Sequence, residues 1–147
     1  MSYTQSTTPL SQPLYGASFG AAVQRFFKKY ATFRGRASRS EFWWWVLANA
    51  LVSIVLSVLA LLTGGPGVDE FGQTAVPSGL GFVFYVILSL WGLATFVPHL
   101  ALIVRRLHDT NRSGFWIFIG FVPLVGGIIL FVFELLPSDP RGAQFDA

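Results

Sequence analysis

The apolar run Leu80 to Val104 (LGFVFYVILSLWGLATFVPHLALIV) constrains the fold of this chain more than any other feature. Two more runs match it, Phe42 to Thr63 (FWWWVLANALVSIVLSVLALLT) and Phe115 to Leu136 (FWIFIGFVPLVGGIILFVFELL). At about 1.5 Å per residue, helices of about 22 to 25 residues reach roughly 33 to 37 Å, enough to cross a hydrocarbon core of about 30 Å. A soluble protein would need amphipathic helices to cover three such segments, and a chain of 147 residues with 53% hydrophobic and only 12% charged residues does not supply them. In lipid the backbone must satisfy its own hydrogen bonds, and the runs lack the in-out alternation of a membrane barrel, so helices are required.

Orientation follows from the cations. Arg25, Lys28, Lys29, Arg34, Arg36 and Arg39 precede the first run, Arg105, Arg106 and Arg112 lie between the second and third, and only Arg141 follows the third. The connection Gly64 to Gly79 holds Asp69 and Glu70 and no base. The positive-inside rule then predicts an amino terminus inside and a carboxyl terminus outside. The net charge of +3 is a sided charge suited to anionic lipid headgroups on the cytoplasmic face, not to nucleic acid.

The expected organisation is an all-α membrane protein with an N-terminal amphipathic interfacial helix plus three transmembrane helices. Residues 1–17 read as a flexible polar tail, 18–34 as the interfacial helix, 35–137 as the three-span domain (spans about 42–63, 80–104 and 115–136) and 138–147 as an external tail. Within 18–34, Phe19, Ala22, Val23, Phe26, Phe27, Tyr30 and Phe33 recur at helical spacing, which predicts an aromatic face in the headgroup zone and bases turned to phosphate. Residues 1–16 carry no cleavable-signal pattern, so the first span is expected to act as its own insertion signal. Gly64 to Gly79 is too rich in Gly and Pro for regular structure. The absence of cysteine excludes disulfides, thiolate metal sites and cysteine nucleophiles.

Polar groups concentrate in two places. In GRASRSEFWWW, Ser38 and Glu41 have capping-box spacing, Glu41 is also expected to pair with Arg105 or Arg106, and Trp43, Trp44 and Trp45 form an interfacial belt. In VRRLHDTNRSGFW, Arg105 and Arg106 favour the carbonyl end of the second helix and snorkel to phosphates, Asp109, Thr110 and Asn111 make a turn, and Ser113 with Gly114 starts the third helix. His108 and Asp109, being adjacent, are expected to point apart, and no second His or Cys gives metal-ligand spacing. The candidate lipid- or partner-binding residues are therefore Arg34, Arg36, Arg39, Glu41, Arg105, Arg106, His108, Asp109 and Arg112. Asn49, His99 and Glu134 are the polar residues inside the spans, where such groups are costly and usually partnered. Pro98 removes an amide just before His99, and Glu134 is expected near the outer end of the third span.

FRGRASRSEFWWW, three spans, then VRRLHDTNRSGFW leading into PLVGGIILFVFELLP together resemble the small bacterial inner-membrane proteins grouped as domain of unknown function 805, over about residues 20 to 140. The tail LLPSDPRGAQFDA keeps Pro137, Pro140, Gly142 and Phe145, with Gln144 near where members carry an asparagine. The resemblance implies a multi-pass location in a bacterial cytoplasmic membrane and supplies no activity. The residues are those expected of a non-catalytic accessory or interaction subunit of a larger membrane complex, without cofactor or metal. A homo-oligomeric channel or transporter component is the alternative, and a lipid-phosphate-binding membrane enzyme ranks third.

Overall fold

The computed structural model describes residues 8–68 and 71–146 and is mostly helical. Helix α1 spans Phe19–Lys28, α2 Arg39–Leu62, α3 Gly79–Asp109 and α4 Val125–Leu135; two-residue strands β1 (Gly67–Val68) and β2 (Thr74–Ala75) lie between α2 and α3, and 3-10 helices cover Gly114–Phe121 and Pro140–Phe145. Only 11% of the most apolar stretch of α2, and the same share in α3, is buried. Apolar helices that leave Leu51, Ile54, Leu62, Leu90 and Leu93 exposed are not core helices of a soluble domain; hydrocarbon is the solvent that suits them.

The chain forms two compact units. One, Leu47–Phe96, is the antiparallel pairing of the later part of α2 with the earlier part of α3. Their junction is close because Gly81 packs on the backbone of Gly64 and Gly65, where a side chain has no room. Gly64 takes φ +100°, a region open to glycine. The expected irregular connection carries one antiparallel pairing, Gly67 with Ala75 and Val68 with Thr74; Asp69 and Glu70, on which its expected acidity rests, lie outside the described residues. The indole Nε1 of Trp91 donates to Asn49 Oδ1 at 2.9 Å, so the polar Asn49 is satisfied across the helix pair.

The other unit joins the residues before Leu47 to those from Val97 onward. Helix α1 is capped by Ser18, whose side chain accepts from the Ala21 amide. It is shorter than expected, and Arg25 and Lys29 turn inward while Lys28 stays exposed. Ala22, Arg25 and Phe26 are buried, Phe26 stacks on Trp45 with centroids 3.3 Å apart, and Phe19 and Phe27 remain exposed. The three tryptophans therefore split by rotation around α2: Trp45 is core, Trp43 is half-buried against Phe131 (6.0 Å) and Trp44 is exposed. The polar tail is anchored from residue 8 onward, where Leu14 and Ala17 pack with Ala22; residues 1–7 of the expected flexible tail lie outside the described residues.

The expected third span is not one crossing helix. Gly114–Phe121 runs out as a 3-10 helix, the chain turns at Val122–Leu124, and α4 returns. At about 2.0 Å per residue for eight residues and about 1.5 Å for eleven, each arm reaches roughly 16 Å, half of a bilayer core. Gly126 lies against the Ile119 carbonyl, where a side chain does not fit, and Trp116 meets Phe133 edge-on at 5.5 Å. Leu124 closes the turn at φ +65°, ψ −53°, with the Val125 amide donating to the Pro123 carbonyl at 2.8 Å: a strained γ-turn. The reason is legible afterwards. Pro123 cannot donate to a helical ladder, and Gly126 lets the two backbones approach.

The hairpin overturns the expected sidedness of the carboxyl end. The Asp139 amide donates to the Asp109 carbonyl at 2.8 Å and the Gly35 amide to the Phe145 carbonyl at 2.9 Å. Residues 138–146 thus lie at the same end as the residues preceding α2, not on the opposite face. Glu134 moves with them: its carbonyl accepts from Arg106 Nε at 3.1 Å, so it is at the end expected to be inner.

Candidate functional site

Two adjoining ionic networks fill this end of the molecule. The first centres on Glu41 in the first turn of α2. Ser38 Oγ accepts from the Glu41 amide (3.2 Å) and Glu41 Oε2 accepts from the Ser38 amide (2.9 Å), the expected reciprocal cap. The same Oε2 accepts from the Leu14 amide at 3.1 Å. Glu41 Oε1 receives Arg25 Nε, with Lys29 Nζ at 3.8 Å. Arg25 also donates to the carbonyls of Thr8, Pro9 and Gln12, fastening the tail. Burial pushes the Lys29 ammonium down to about 8, against the pull of Glu41 and with repulsion from Arg105 and Arg25.

The expected pairing of Glu41 with Arg105 or Arg106 gives way to Arg25 and Lys29, because α1 docks its Ala22, Arg25, Phe26, Lys29 face on α2. Arg105 is 1% exposed, donates Nε to the Ala101 carbonyl (3.1 Å), accepts the Ala37 amide on its own carbonyl (3.0 Å), and has no partner for Nη2 among the described residues.

The second network centres on Asp109, which is fully buried. Oδ2 accepts from Arg106 Nη1 at 2.6 Å and from Ser138 Oγ; Oδ1 accepts from Tyr15 Oη at 3.1 Å and lies 3.8 Å from Arg36 Nη1. Burial, then the Asp109 charge, holds the Tyr15 phenol above its ordinary value. Arg36 grips both Asp146 oxygens at 2.7 Å, and that bond raises the guanidinium's proton affinity further. His108 stacks on Phe145 at 4.2 Å with Nδ1 3.0 Å from the Gly35 carbonyl, partners it does not share with Asp109. Asn111 ends α3 at φ +57°, a helix-closing conformation Asn tolerates, and receives Gln144 Nε2 at 2.8 Å.

Arg106 and Arg39 cap the last carbonyls of the hairpin: Arg106 reaches those of Glu134 and Leu136, and Arg39 Nε donates to Leu136 at 2.9 Å. Arg105 and Arg106 are buried and therefore not snorkelling to headgroups: Asp109 and the last carbonyls of the hairpin hold Arg106, and Arg105 donates to the Ala101 carbonyl of its own helix. Arg36, Arg106, His108 and Asp109 come together and Glu41 heads the neighbouring network. Arg34 is exposed and apart, and Arg112 covers the Phe133 ring at 4.3 Å. Inside α3, His99 is half-buried with Nδ1 lacking a hydrogen-bond partner among the described residues. Arg25, Lys29, Tyr15, Ser138 and Asp146 were not anticipated. One signal was present: Ala22, Arg25, Phe26 and Lys29 are spaced i, i+3, i+4, i+7, a single helix face.

Comparison with known proteins finds inner-membrane relatives. Inner membrane protein YhaI of Escherichia coli (strain K12) is 41% identical over 106 residues, covering 72% of this chain and 75% of the relative. Inner membrane protein YhaH of the same strain is 32% identical over 121 residues, covering 82% and 89%. No solved structure matches. The profile of the family described as "Protein of unknown function (DUF805)" matches residues 30–147, a stretch that includes Glu41, Arg106, Asp109 and the hairpin, and the chain is a membrane protein belonging to that family.

Proposed function

We propose that this protein is a non-catalytic accessory or interaction subunit of a bacterial inner-membrane complex, crossing the membrane through α2 and α3 with both ends at the cytoplasmic face. One observation carries the reading: the half-membrane hairpin. Its tip exposes Phe121, Val122 and Leu124, and α4 starts without a side-chain cap. Irregular backbone at membrane depth is tolerated where protein or a water-filled cavity covers it, not where lipid does. A neighbouring protein that packs the tip meets that need. The ionic networks support a structural role, since both carboxylate oxygens of Asp109 and of Glu41 hold guanidinium, hydroxyl or amide groups.

The test is extraction in mild detergent through an affinity tag, with mass and composition of what accompanies the protein, for the parent and for Phe121→Ser with Leu124→Ser. Larger membrane proteins at fixed stoichiometry, lost with the tip variant, are expected. A homo-oligomer lost with the same variant would shift the reading to the channel or transporter component. A monomer with an unchanged tip variant refutes both.

A further inference from the structure

An open cavity of about 400 Å³ beside the start of α2 is lined by Tyr15, Ser38, Arg39, Ser40 and Ser138 among others, and its donors and acceptors are unevenly distributed. Arg39 is the donor. Its Nε is fixed on the Leu136 carbonyl, which orients the guanidinium, and its two terminal nitrogens have no partner among the described residues. The hydroxyls are the reverse. Tyr15 and Ser138 give their protons to Asp109, whereas Ser38 and Ser40 are bonded to each other at 2.9 Å and already hold the Glu41 amide, the Ala17 amide and the Leu14 carbonyl, which leaves Tyr15 and Ser138 as the open acceptors. A hydroxyl whose proton is committed presents lone pairs only. The cavity therefore offers a planar cationic fork on one wall and acceptor oxygens on others.

We infer that this cavity binds a phosphodiester headgroup that carries its own N–H or O–H donor, the phosphate on Arg39 and the donor on the Tyr15 and Ser138 hydroxyl oxygens. A guanidinium fork matches phosphate oxygens bidentately. A bare inorganic anion leaves the acceptors unused, and a quaternary ammonium headgroup has no proton to give them. Membrane lipids and soluble glycerophosphodiesters share this chemistry.

The full-length protein in maltoside micelles is titrated calorimetrically with dihexanoyl phosphatidylethanolamine, dihexanoyl phosphatidylcholine and soluble glycerophosphoethanolamine. The ethanolamine lipid is expected to bind at least tenfold more tightly than the choline lipid, with Arg39→Gln removing at least tenfold of that affinity, Arg39→Lys weakening it less, and the exposed-cation control Lys28→Gln leaving it unchanged. Weaker binding of the soluble diester assigns the site to lipid, and equal binding assigns it to a soluble ligand. Equal affinity for ethanolamine and choline lipids overturns the inference even if Arg39→Gln fails to fold, and an unchanged Arg39→Gln overturns it directly.

Discussion

Lys29 is expected to cost stability, and removing it should make the fold more stable. The ammonium is 1% exposed, its carboxylate partner stands 3.8 Å away and is shared with Arg25, and burial lowers its pKa from 10.5 to about 8. At about 1.4 kcal/mol for each tenfold change in proton affinity, that fall amounts to about 3 kcal/mol. The unfolded chain holds the proton up to about 10.5 while the folded one releases it near 8. Below pH 8 both states are charged and the full penalty applies; between 8 and 10.5 the unfolded state binds more protons, so stability rises with pH. Lys29→Met replaces the stem and discards the charge, leaving Arg25 on Glu41. Reversible unfolding in mixed micelles, followed by tryptophan fluorescence, should show the variant more stable by about 1 to 3 kcal/mol at pH 7, with its advantage shrinking as the pH passes from 8 to 10. The reasoning fails if the variant is less stable than the parent at pH 7, or if the difference between them is flat across that range.

The opposite sign holds for the acids. Asp109→Asn leaves Arg106 buried without its charge partner and should lose about 3 to 5 kcal/mol, read in the same unfolding assay. Leu124→Gly relieves a positive φ at an 89% exposed residue and should gain about 0.5 to 1 kcal/mol, whereas Gly126→Ala must push the Ile119 carbonyl away and lose at least about 2 kcal/mol. Single cysteines at Lys28 and Ala143 in this cysteine-free chain should react with an impermeant maleimide from the same face of membrane vesicles; labelling from opposite faces would restore a crossing third span.

How much of this was legible depends on what kind of information each element needs. Helices α2 and α3 follow from hydropathy and length, since runs without barrel alternation satisfy their backbone in lipid only as helices. The Ser38–Glu41 cap and the turn after Asp109 follow from local chemistry that needs no partner. Phe115 to Leu136 was misread because hydropathy records only that a segment prefers hydrocarbon, not how far it goes before turning. The punctuation was present in FVPLVGG: a proline, followed by two glycines, the first of which allows close return. A half-crossing hairpin and a full span have the same apolar content, and only this backbone detail separates them.

The ionic residues show the complementary failure. Charge near a membrane end has two outlets, headgroup phosphate and protein carboxylate, and the cations alone do not say which they take. What decides is where the acids go. If residues 138–146 crossed to the far face, Asp146 would leave Arg36 and Ser138 would leave Asp109, and that guanidinium would keep only Asp109, 3.8 Å away, as a carboxylate partner. Because the hairpin returns, Arg36 meets Asp146 bidentately and Phe145 covers His108. The hairpin and the buried network are therefore one decision. Any change that drives residues 114–136 through the membrane must also remove these partners from Arg36 and Asp109, so labelling of Ala143→Cys and the stability loss of Asp109→Asn should respond together: a carboxyl end found on the far face would predict an Asp109→Asn penalty lacking the contribution of the Ser138 hydroxyl.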